Sequence, residues 1–414
     1  MDFTPTEEQA AARDLAGRIF GDLATPERLA AAGSGSDAEL WKALCAAGLP
    51  GAVEDIGLLG LVLLLEEQGR RTAQVPFAAS CVYGILAVAA HGTEEQRDRL
   101  LPPLRRGTAV ATGAFPARVG VEAVAATGGG GMPGGVAGGG GGGVPGGVPR
   151  GVLRGVVPWV PWLRDATHVL VAAADRGLWM VQVADARVEP VELTAPWSAG
   201  RLILDGTPGE RIGGVVGEGA GAEGVAGARE GAVAGAVACE DVRDSAYEDV
   251  RASARTAFAG LQAGVCAGSL ARAVAHTNER EQFGRPLSAK QGVQLRAADA
   301  YMDTEAIRVT AYEAAWRRDA GLPYGTHALT AAWWASEAGT RVVHAGQHLH
   351  GGMGADLDHP VHRHFLWGRQ LDAYLGCGSE VLEELGDLLA TEAERAAGAA
   401  GSAGAARGTE GERG

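Results

Sequence analysis

The 414-residue sequence predicts an α+β protein built from three consecutive parts. Helix start and stop signals dominate residues 1–110 and predict an N-terminal helical domain. Short runs rich in β-branched residues predict a small antiparallel β domain over 111–238, and long helical runs predict a helical bundle over 239–397. The tail, residues 398–414, is rich in Gly and Ala and is predicted to be disordered.

The N-terminal part carries two capping signals and one helix stop. Thr4 with Glu7 predicts a capping box that has a proline at the first helical position, and Ser36 with Glu39 predicts a second. Gly48 and Pro50 are predicted to stop the second helix. Further helices are predicted at Ile56–Arg70, Phe77–Ala90 and Thr93–Arg106. A charged group is interpreted as a solvated helix end: Glu66, Glu67, Arg70 and Arg71.

The middle part alternates between short extended runs and turn residues. The predicted strands are His168–Ala174, Leu178–Ala184, Val188–Thr194 and Arg201–Leu204. Two low-complexity tracts, Gly128–Gly151 and Gly213–Ala236, interrupt this part. The first tract matches no phosphate-binding loop and lacks a strand-then-helix context, so we interpret it as a flexible insertion.

The C-terminal part reads as a bundle of long helices. The predicted helices are Ser245–Asn278, Ala289–Ala320, His327–Ala345 and Leu371–Ala397. Each is long enough to pack along its neighbours in a bundle. The order of structure along the chain is therefore α, β, α.

Composition and charge argue against several classes of function. The chain has 36 Lys and Arg against 50 Asp and Glu, and this net charge of −14 argues against nucleic acid as a partner. Its 5 cysteines are scattered without a C-x-x-C pair, which fits reduced thiols. The N-terminus lacks the features of a signal peptide, and the longest apolar run, Ile56–Leu65, is about half the ~20 residues of a membrane helix. We therefore expect a cytoplasmic protein with no membrane partner.

Two glycine-containing turns carry the most specific signal in the sequence. Arg280 and Phe283 lie where one long predicted helix closes, and Gln291 lies where the next one opens. The second turn reads His350-Gly351-Gly352-Met353-Gly354. These two motifs, at this separation, resemble the C-terminal bundle of acyl-CoA dehydrogenases. The α-β-α order resembles the same family over almost the whole chain.

The chemistry of the first turn suits a dinucleotide. Arg280 offers a planar fork to a pyrophosphate, and Phe283 offers an aromatic face beside the adenine or ribityl part of such a cofactor. Glycines allow the backbone to approach the cofactor closely. The resemblance implies that the cofactor is FAD, held mainly by the neighbouring subunit and reached across a dimer interface.

The resemblance assigns FAD contacts to both turns and to one tryptophan of the β domain. His348 stands where the family usually has a glutamine, although Gln347 sits beside it. Trp159 matches a residue that lies along the flavin ring, whereas Pro161 replaces a threonine of the same stretch, and the expected Thr-Glu-Pro-Gly segment near Thr112–Pro116 is not recognisable. The predicted cofactor-binding residues are Arg280, Phe283, Gln291, Gln347, His348, Gly351, Gly352 and Trp159. The resemblance also implies an acyl-CoA substrate and electron-transfer flavoprotein as a further partner.

The family's catalytic base has no counterpart at either of its usual positions. Family members remove an α-proton with a glutamate while hydride leaves to the flavin. Counting from the second turn places that glutamate at Leu375, or at Gly376 after a one-residue slip, and the other position used in the family is Ala254. None of these three residues can accept a proton. Two flanking carboxylates are candidate surrogates: Asp372 and Glu380.

This asymmetry leads to one main hypothesis and two alternatives. The chain is interpreted as the subunit without the base in a heterotetramer with a homologous acyl-CoA dehydrogenase subunit, like family members that act on steroid side-chain thioesters. One alternative is a self-sufficient homotetrameric flavoenzyme, either a dehydrogenase with a displaced base or a flavin-dependent oxygenase. Another is a structural or regulatory subunit without a cofactor.

A metal site is a further alternative, although we expect none. Six of the 10 histidines lie between His344 and His364, and His344 and His348 have the i,i+4 spacing of helical zinc ligands. No glutamate stands in an H-E-x-x-H setting. The candidate ligands are His344, His348, His359, His362, His364, Asp356 and Asp358.

Overall fold

A computed structural model of the chain describes residues 3–115, 120–125, 150–213, 234–374, 376–391 and 393. It has the predicted α+β architecture, with helices, then a sheet, then helices. The predicted flexible insertions lie outside the described residues except at their ends, and the predicted tail lies wholly outside them. The exact boundaries between the three parts remain predictions.

The N-terminal part is helical. Its helices are α1 Glu7–Leu23, α2 Pro26–Ala31, α3 Ala38–Ala46, α4 Leu49–Arg71, α5 Phe77–Ala79, α6 Ala87–His91 and α7 Glu94–Arg105. A π-helical segment, Ser80–Leu86, joins α5 to α6. The helix predicted at Phe77–Ala90 is therefore continuous, but its middle is π-helical.

The predicted cap of the first helix is wrong by two residues. The side chain of Thr6 accepts a hydrogen bond from the Gln9 amide, and the Gln9 side chain returns to the Thr6 backbone, so the capping box is not the predicted Thr4 with Glu7. This register places two glutamates in the first turn, where the helix dipole favours negative charge. The cap predicted for α7 at Thr93 is confirmed.

The cap of α3 is also displaced, by one residue. Asp37 accepts a hydrogen bond from the Leu40 amide at 3.0 Å. Ser36, the predicted cap, instead donates its hydroxyl to Asp165 of the β domain. Ser36 is thus engaged by a distant part of the chain, and the adjacent Asp37 caps the N-terminus of α3.

Helix α4 carries a bend that the C-terminal part stabilises. Pro50 lies in the first turn, so it opens this helix rather than stopping the previous one. The helix bends at Gly57, which has a φ of 71°. Beyond the bend, the amides of Leu58 and Leu59 each donate to the Asp319 carboxylate at 2.8 Å. Asp319 therefore caps the second half of α4 from a segment about 260 residues away in sequence.

Replacing Asp319 by alanine is expected to lower the free energy of unfolding by about 1 kcal/mol, because both amides would lose their acceptor. Urea unfolding measures this loss. The matched control is Asp299→Ala on the same helix, where the aspartate is exposed and the expected change is close to zero. Equal losses in the two variants would contradict the capping role.

The middle part forms a sheet with the strands β1 Ala111–Ala114, β2 Glu122–Ala125, β3 Arg150–Val160, β4 His168–Ala172, β5 Leu178–Gln182, β6 Arg187–Pro190 and β7 Gly200–Ile212. The strand order is β1-β4-β5-β7-β3-β2, and β6 also pairs with β7. β1 and β4 run parallel, so the prediction of a purely antiparallel sheet is wrong. The other strand pairs of this sheet are antiparallel.

The sequence prediction missed β3 and most of β7. These strands pair from Arg150 opposite Glu210 to Val160 opposite Gly200, with two register shifts along the way. Register shifts break the alternation of inward and outward side chains that identifies a strand in a sequence. The glycines in both strands weaken the signal further.

The C-terminal part contains the helices α8 Ala234–Glu279, α9 Gln291–Asp319, α10 Gly325–His350, α11 Pro360–Asp372 and α12, residues 378–391. The prediction of a single helix at Leu371–Ala397 is wrong, because the helical conformation is interrupted between the end of α11 and the start of α12. Gly376 lies in that break with a φ of 109°, a conformation that an L side chain rarely adopts. The prediction also missed α11, whose start is marked by Pro360 in the first turn and the His359 cap.

Helix α8 lies at the centre of the helical core and packs against α4, α9, α10 and α11. The α4–α8 crossing is close, since a Cβ on Gly69 would lie 2.8 Å from the Val265 amide nitrogen. By length and composition, Ala246–Glu279 of α8 could cross a membrane, but 78% of its most apolar window is buried inside the fold. The prediction that Glu66 is solvated at the end of α4 is wrong. Glu66 is 5% exposed and pairs with Arg308 at 3.0 Å.

Candidate functional site

The first predicted cofactor turn is a tight hairpin between α8 and α9. The strands β8 Glu281–Gln282 and β9 Arg285–Pro286 flank a turn in which Phe283 has a φ of 58° and Gly284 a φ of 75°. The Phe283 ring is 92% exposed and contacts only the Lys290 ammonium, 4.8 Å from its centroid, among the described aromatic and cation contacts. A bulky residue held at positive φ with its ring in solvent points to a surface that another molecule covers.

The second predicted turn lies at the end of α10. Gly351 has a φ of 63°, and a Cβ on either Gly351 or Gly352 would meet no atom within 4 Å. The side-chain amide of Gln347 donates one hydrogen bond within the turn, to the Gly354 carbonyl at 3.2 Å. His348 is exposed. The turn therefore presents open backbone that a ligand can approach closely.

The fold brings the two turns to the same end of the helical bundle. His276 lies one turn before Arg280 near the end of α8, and His350 is the last residue of α10. Their rings stack with centroids 4.7 Å apart. Arg280 and Gln291 are both exposed beside this contact. Seven of the eight predicted cofactor residues thus lie in or next to these two turns, six of them exposed and Gln347 half-buried, and we call this end of the bundle the turn face: Arg280, Phe283, Gln291, Gln347, His348, Gly351 and Gly352.

Trp159, the eighth predicted cofactor residue, lies in a different environment. Its half-buried ring is 6.0 Å from the ring of Tyr374, which follows α11. Pro161 has its carbonyl occupied by the Thr112 hydroxyl at 2.7 Å. Thr112 therefore holds the backbone of this stretch instead of offering its hydroxyl to a ligand.

Two of the predicted base positions, Ala254 and Gly376, lie among packed residues of the fold. Ala254 is fully buried, and Leu375 lies outside the described residues. A Cβ on Gly376 would lie 3.8 Å from Nη2 of Arg255. Arg255 in turn donates to both carboxylate oxygens of Glu384, at 2.8 and 2.7 Å. An arginine–carboxylate pair thus lies beside Gly376, one of the predicted base positions.

The carboxylates near this position are all engaged by neighbouring groups. Asp372 accepts from the Ser336 hydroxyl and pairs with Arg369 at 3.1 Å. Glu380 accepts from the Cys377 amide at 3.3 Å. Burial would raise the pKa of Glu384, but the hydrogen bonds and charges of its two arginine partners outweigh burial and lower the pKa. A carboxylate with a lowered pKa is a weak general base.

Aromatic side chains fill the space in front of Gly376. The ring of Phe258 meets that of Tyr374 edge-on at 4.5 Å, and the hydroxyls of Tyr374 and Tyr83 are 2.7 Å apart. Burial raises the pKa of both phenols, so both stay neutral. The cavity that Gly376 and Tyr374 line measures about 20 Å³. That volume holds about one water molecule, whereas small-molecule sites span roughly 300–1,000 Å³.

Comparison with known proteins decides the family. The sequence profile described as "Acyl-CoA dehydrogenase, N-terminal domain" matches residues 6–108, and the profile "Acyl-CoA dehydrogenase, C-terminal domain" matches residues 251–385. Acyl-CoA dehydrogenase FadE27 of Mycobacterium tuberculosis is 32% identical over 416 residues, which cover 94% of this chain and 99% of the relative. The chain belongs to the acyl-CoA dehydrogenase family.

Two solved structures share this fold over most of the chain. A variant of the steroid ACAD Tcur3481-Tcur3483 superimposes with a TM-score of 0.77 at 37% identity, covering 94% of this chain and 99% of the other. The ChsE4-ChsE5 complex from Mycobacterium tuberculosis has a chain that superimposes with a TM-score of 0.76 at 28% identity, covering 94% and 99%. The fold predicted from the resemblance is confirmed.

The histidines of the histidine-rich segment make packing contacts in the described structure. In the parts of the chain that the structure describes, no group of three or more His, Cys, Asp or Glu residues could hold a metal ion. The His344 ring meets Phe365 edge-on at 4.9 Å, and His359 meets His350 at 5.0 Å. His364 lies against two backbone carbonyls. His344 and His364 therefore make separate contacts, whereas the rings of His276, His350 and His359 contact one another in series.

Several residues that shape the site escaped the sequence analysis. His276 joins the two turns, and the only signal for it was its position one helical turn before Arg280. Tyr374 precedes the predicted base position directly, so its place in the site could have been read from the same alignment of motifs. Glu384 gave no signal, since its pairing with Arg255 depends on how α12 packs against α8.

Proposed function

We propose that this chain is the subunit without the catalytic base in a heteromeric, FAD-dependent acyl-CoA dehydrogenase. Its turn face would complete the FAD site of a homologous subunit, and that subunit would supply the base. The flavin, when bound, supplies the hydride acceptor for α,β-dehydrogenation of a CoA thioester. The contrast between an open turn face and a filled base site carries this proposal.

The turn face fits a cofactor that is bound mainly by the partner subunit. Arg280 projects from an exposed hairpin, and its guanidinium is placed to bind a pyrophosphate by charge-assisted hydrogen bonds. Phe283, at 92% exposure, presents an aromatic face for a ring or ribityl chain. The open backbone at Gly351 and Gly352 leaves room for the cofactor to lie directly on the main chain.

The filled base site argues that this chain does not perform the proton abstraction itself. A base must reach the α-carbon of a bound thioester within hydrogen-bonding distance of the proton. A cavity of about 20 Å³ beside Gly376 admits no acyl chain. Asp372 and Glu380, the candidate surrogates, are held by their own partners.

The relatives support a heteromeric assembly and a steroid thioester as substrate. One structural relative is the ChsE4-ChsE5 complex, and another is the steroid ACAD Tcur3481-Tcur3483, whose name joins two components. By this likeness we propose a CoA thioester with a steroid side chain as substrate, a homologous acyl-CoA dehydrogenase subunit as partner and electron-transfer flavoprotein as electron acceptor. We place the complex in the cytoplasm.

The first experiment measures the visible absorption spectrum and native mass of the chain purified alone and after co-expression with a candidate partner dehydrogenase. We expect the flavin spectrum and turnover only in the co-expressed four-chain form. A yellow homo-oligomer that oxidises a CoA thioester without a partner would overturn the proposal and favour the self-sufficient flavoenzyme. Oxygen consumption with a reductase would instead indicate the oxygenase.

Replacing Arg280 by alanine is expected to weaken FAD retention by the complex about tenfold, because a charge-assisted hydrogen bond to the pyrophosphate is lost. Dialysis against increasing volumes, followed by flavin fluorescence, measures the retention. The matched control is Arg285→Ala, an equally exposed arginine in the same hairpin, which should retain FAD as the wild type does. Unchanged flavin occupancy and turnover in Arg280→Ala would rule out the cross-interface role.

A further inference from the structure

The chain contains a large cavity that adjoins the turn face and the base site, since His359 of its lining meets the ring of His350 and Trp197 of its lining meets that of Tyr374. It measures about 630 Å³ and lies between three segments, namely residues 26–34, residues 191–199 and residues 357–366. Its volume falls within the range of roughly 300–1,000 Å³ that is typical of small-molecule sites. None of its lining residues belongs to the turn face or to the predicted base positions.

Two half-buried arginines, Arg272 and Arg363, form part of the wall of this cavity, and neither pairs with a carboxylate among the residues that the structure describes. Arg272 of α8 makes no hydrogen bond or ion pair among the residues that the structure describes, and burial next to Arg71 lowers its pKa. Arg363 of α11 donates to the Thr72 hydroxyl at 3.1 Å, to the Thr72 carbonyl at 3.3 Å and to the side-chain oxygen of Gln74, all of them neutral acceptors. Burial lowers the pKa of Arg363 to about 10. Cations held in this way lack the counter-ion that buried charges normally have.

Two further lining groups leave a buried polar atom without a partner. His362 is 9% exposed, and its Nδ1 has no hydrogen-bond partner in the described structure. Trp197 is 1% exposed, and its indole N–H has no acceptor there. Native proteins pair the great majority of such atoms, so these two mark a place where a ligand atom or an ordered water completes the structure.

The remaining walls are apolar, and the acidic residues lie at the rim. Leu29 and Leu193 line the cavity, and Leu357, which is 77% exposed, lies at its edge. Glu192 and Asp358 also line it, but both are exposed. Their charges are therefore screened by water more strongly than those of the half-buried arginines. The cavity thus combines an apolar body with an interior of positive potential.

We infer that this cavity binds an organic anion with an apolar ring body, whose carboxylate or phosphate pairs with Arg272 and Arg363 and reaches His362. An anion would supply the missing counter-ion of both arginines. The apolar body would cover the leucine side chains. This inference is independent of the proposed function, because the site uses other residues.

The test is calorimetric titration of the full chain with two pairs of probes. 1-Naphthaleneacetate and its amide test a carboxylate, and AMP and adenosine test a phosphate. We expect one of the two anions to bind with a Kd of about 100 μM or tighter, and its uncharged analogue to bind at least tenfold more weakly. The anion that binds identifies the acid group. Failure of both anions to bind at millimolar concentration would overturn the inference.

The Arg272→Gln variant separates a ligand role from a structural one. It should weaken anion binding at least tenfold, while Arg97→Gln, at an exposed position on α7, should leave binding unchanged. Without ligand, Arg272→Gln should melt about 2 °C higher than the wild type, because it removes a desolvated and unpaired charge. Anion binding that survives Arg272→Gln would overturn the inference, and so would a lower melting temperature combined with unchanged affinity.

Discussion

Trp367→Ala is expected to lower the free energy of unfolding by about 4 kcal/mol, a large loss for a single substitution. Trp367 is fully buried on α11, and its ring meets that of Trp197 edge-on at 5.4 Å. Trp197 in turn stacks on Trp162 at 4.6 Å. Alanine would leave a void where α11 packs against the β domain, and close-packed surroundings fill such voids only in part. Urea unfolding followed by far-UV circular dichroism measures the loss.

Trp367→Phe is the matched control for this loss. Phenylalanine keeps an aromatic ring in the cluster and removes the indole N–H, which has no acceptor among the described residues. The removal of an unpaired buried donor offsets part of the lost packing, so the expected cost is about 1–2 kcal/mol. Equal costs for the two variants would show that the tryptophan cluster does not pack as described.

The stability of the chain is expected to fall in mild acid because of His364. This side chain is 1% exposed, and its two ring nitrogens lie 3.2 Å from the Pro360 carbonyl and 3.1 Å from the Arg70 carbonyl. Burial, with repulsion from Arg272, lowers its pKa to about 4, although both carbonyls act in the opposite direction. The neutral ring is therefore the form that the fold accommodates.

The sign of the effect follows from the protons bound in each state. The unfolded chain binds a proton at this histidine below pH ~6.5, whereas the folded chain does so only below pH ~4. Stability is therefore fully present above pH ~6.5 and is lost as the pH falls through this window. Between pH 7 and pH 5 the loss from His364 alone is about 2 kcal/mol. Burial also lowers the pKa of His350 and of His359, which act in the same direction.

Unfolding of His364→Gln at pH 7 and pH 5 tests this assignment. Glutamine keeps a donor for one carbonyl but does not titrate, so the variant should lose about 2 kcal/mol less than the wild type between these pH values. His348→Gln, at an exposed position on α10, is the control and should keep the wild-type dependence. A wild-type dependence in His364→Gln would exclude this histidine as the source.

Local signals in the sequence predicted the order of elements and the two turns of the candidate site. Helix periodicity and caps such as Thr93 located the helices, because these signals act within one or two turns of the chain. The motif residues Arg280 and Phe283 were placed on a turn between two helices, and the structure shows them on that turn. The sequence also excluded a carboxylate at Gly376 and Ala254, since residue identity alone decides that question.

Other features depended on contacts between distant segments. The sequence did not predict β3, because its pairing with β7 contains register shifts that hide the alternation of a strand. It assigned the capping roles one or two residues away from Thr6 and Asp37, since neighbouring polar residues compete for the same cap and distant partners select among them. Glu66 was predicted to be solvated because Arg308, its partner, lies 242 residues away.

The sequence by itself determined the α-β-α order and the identity of the turn residues, and it predicted the lack of a base at Leu375, Gly376 and Ala254. Only the tertiary structure decided that α8 and α10 end side by side, so that both turns form one face. It also decided that Glu384 is held by arginines and that Arg272 and Arg363 line one cavity, neither of them paired with a carboxylate among the described residues. The physical reason is the distance along the sequence over which the two kinds of interaction act. Helix propensity and turn geometry depend on neighbouring residues, whereas charge pairing and cavity formation depend on residues that only the packed fold brings together.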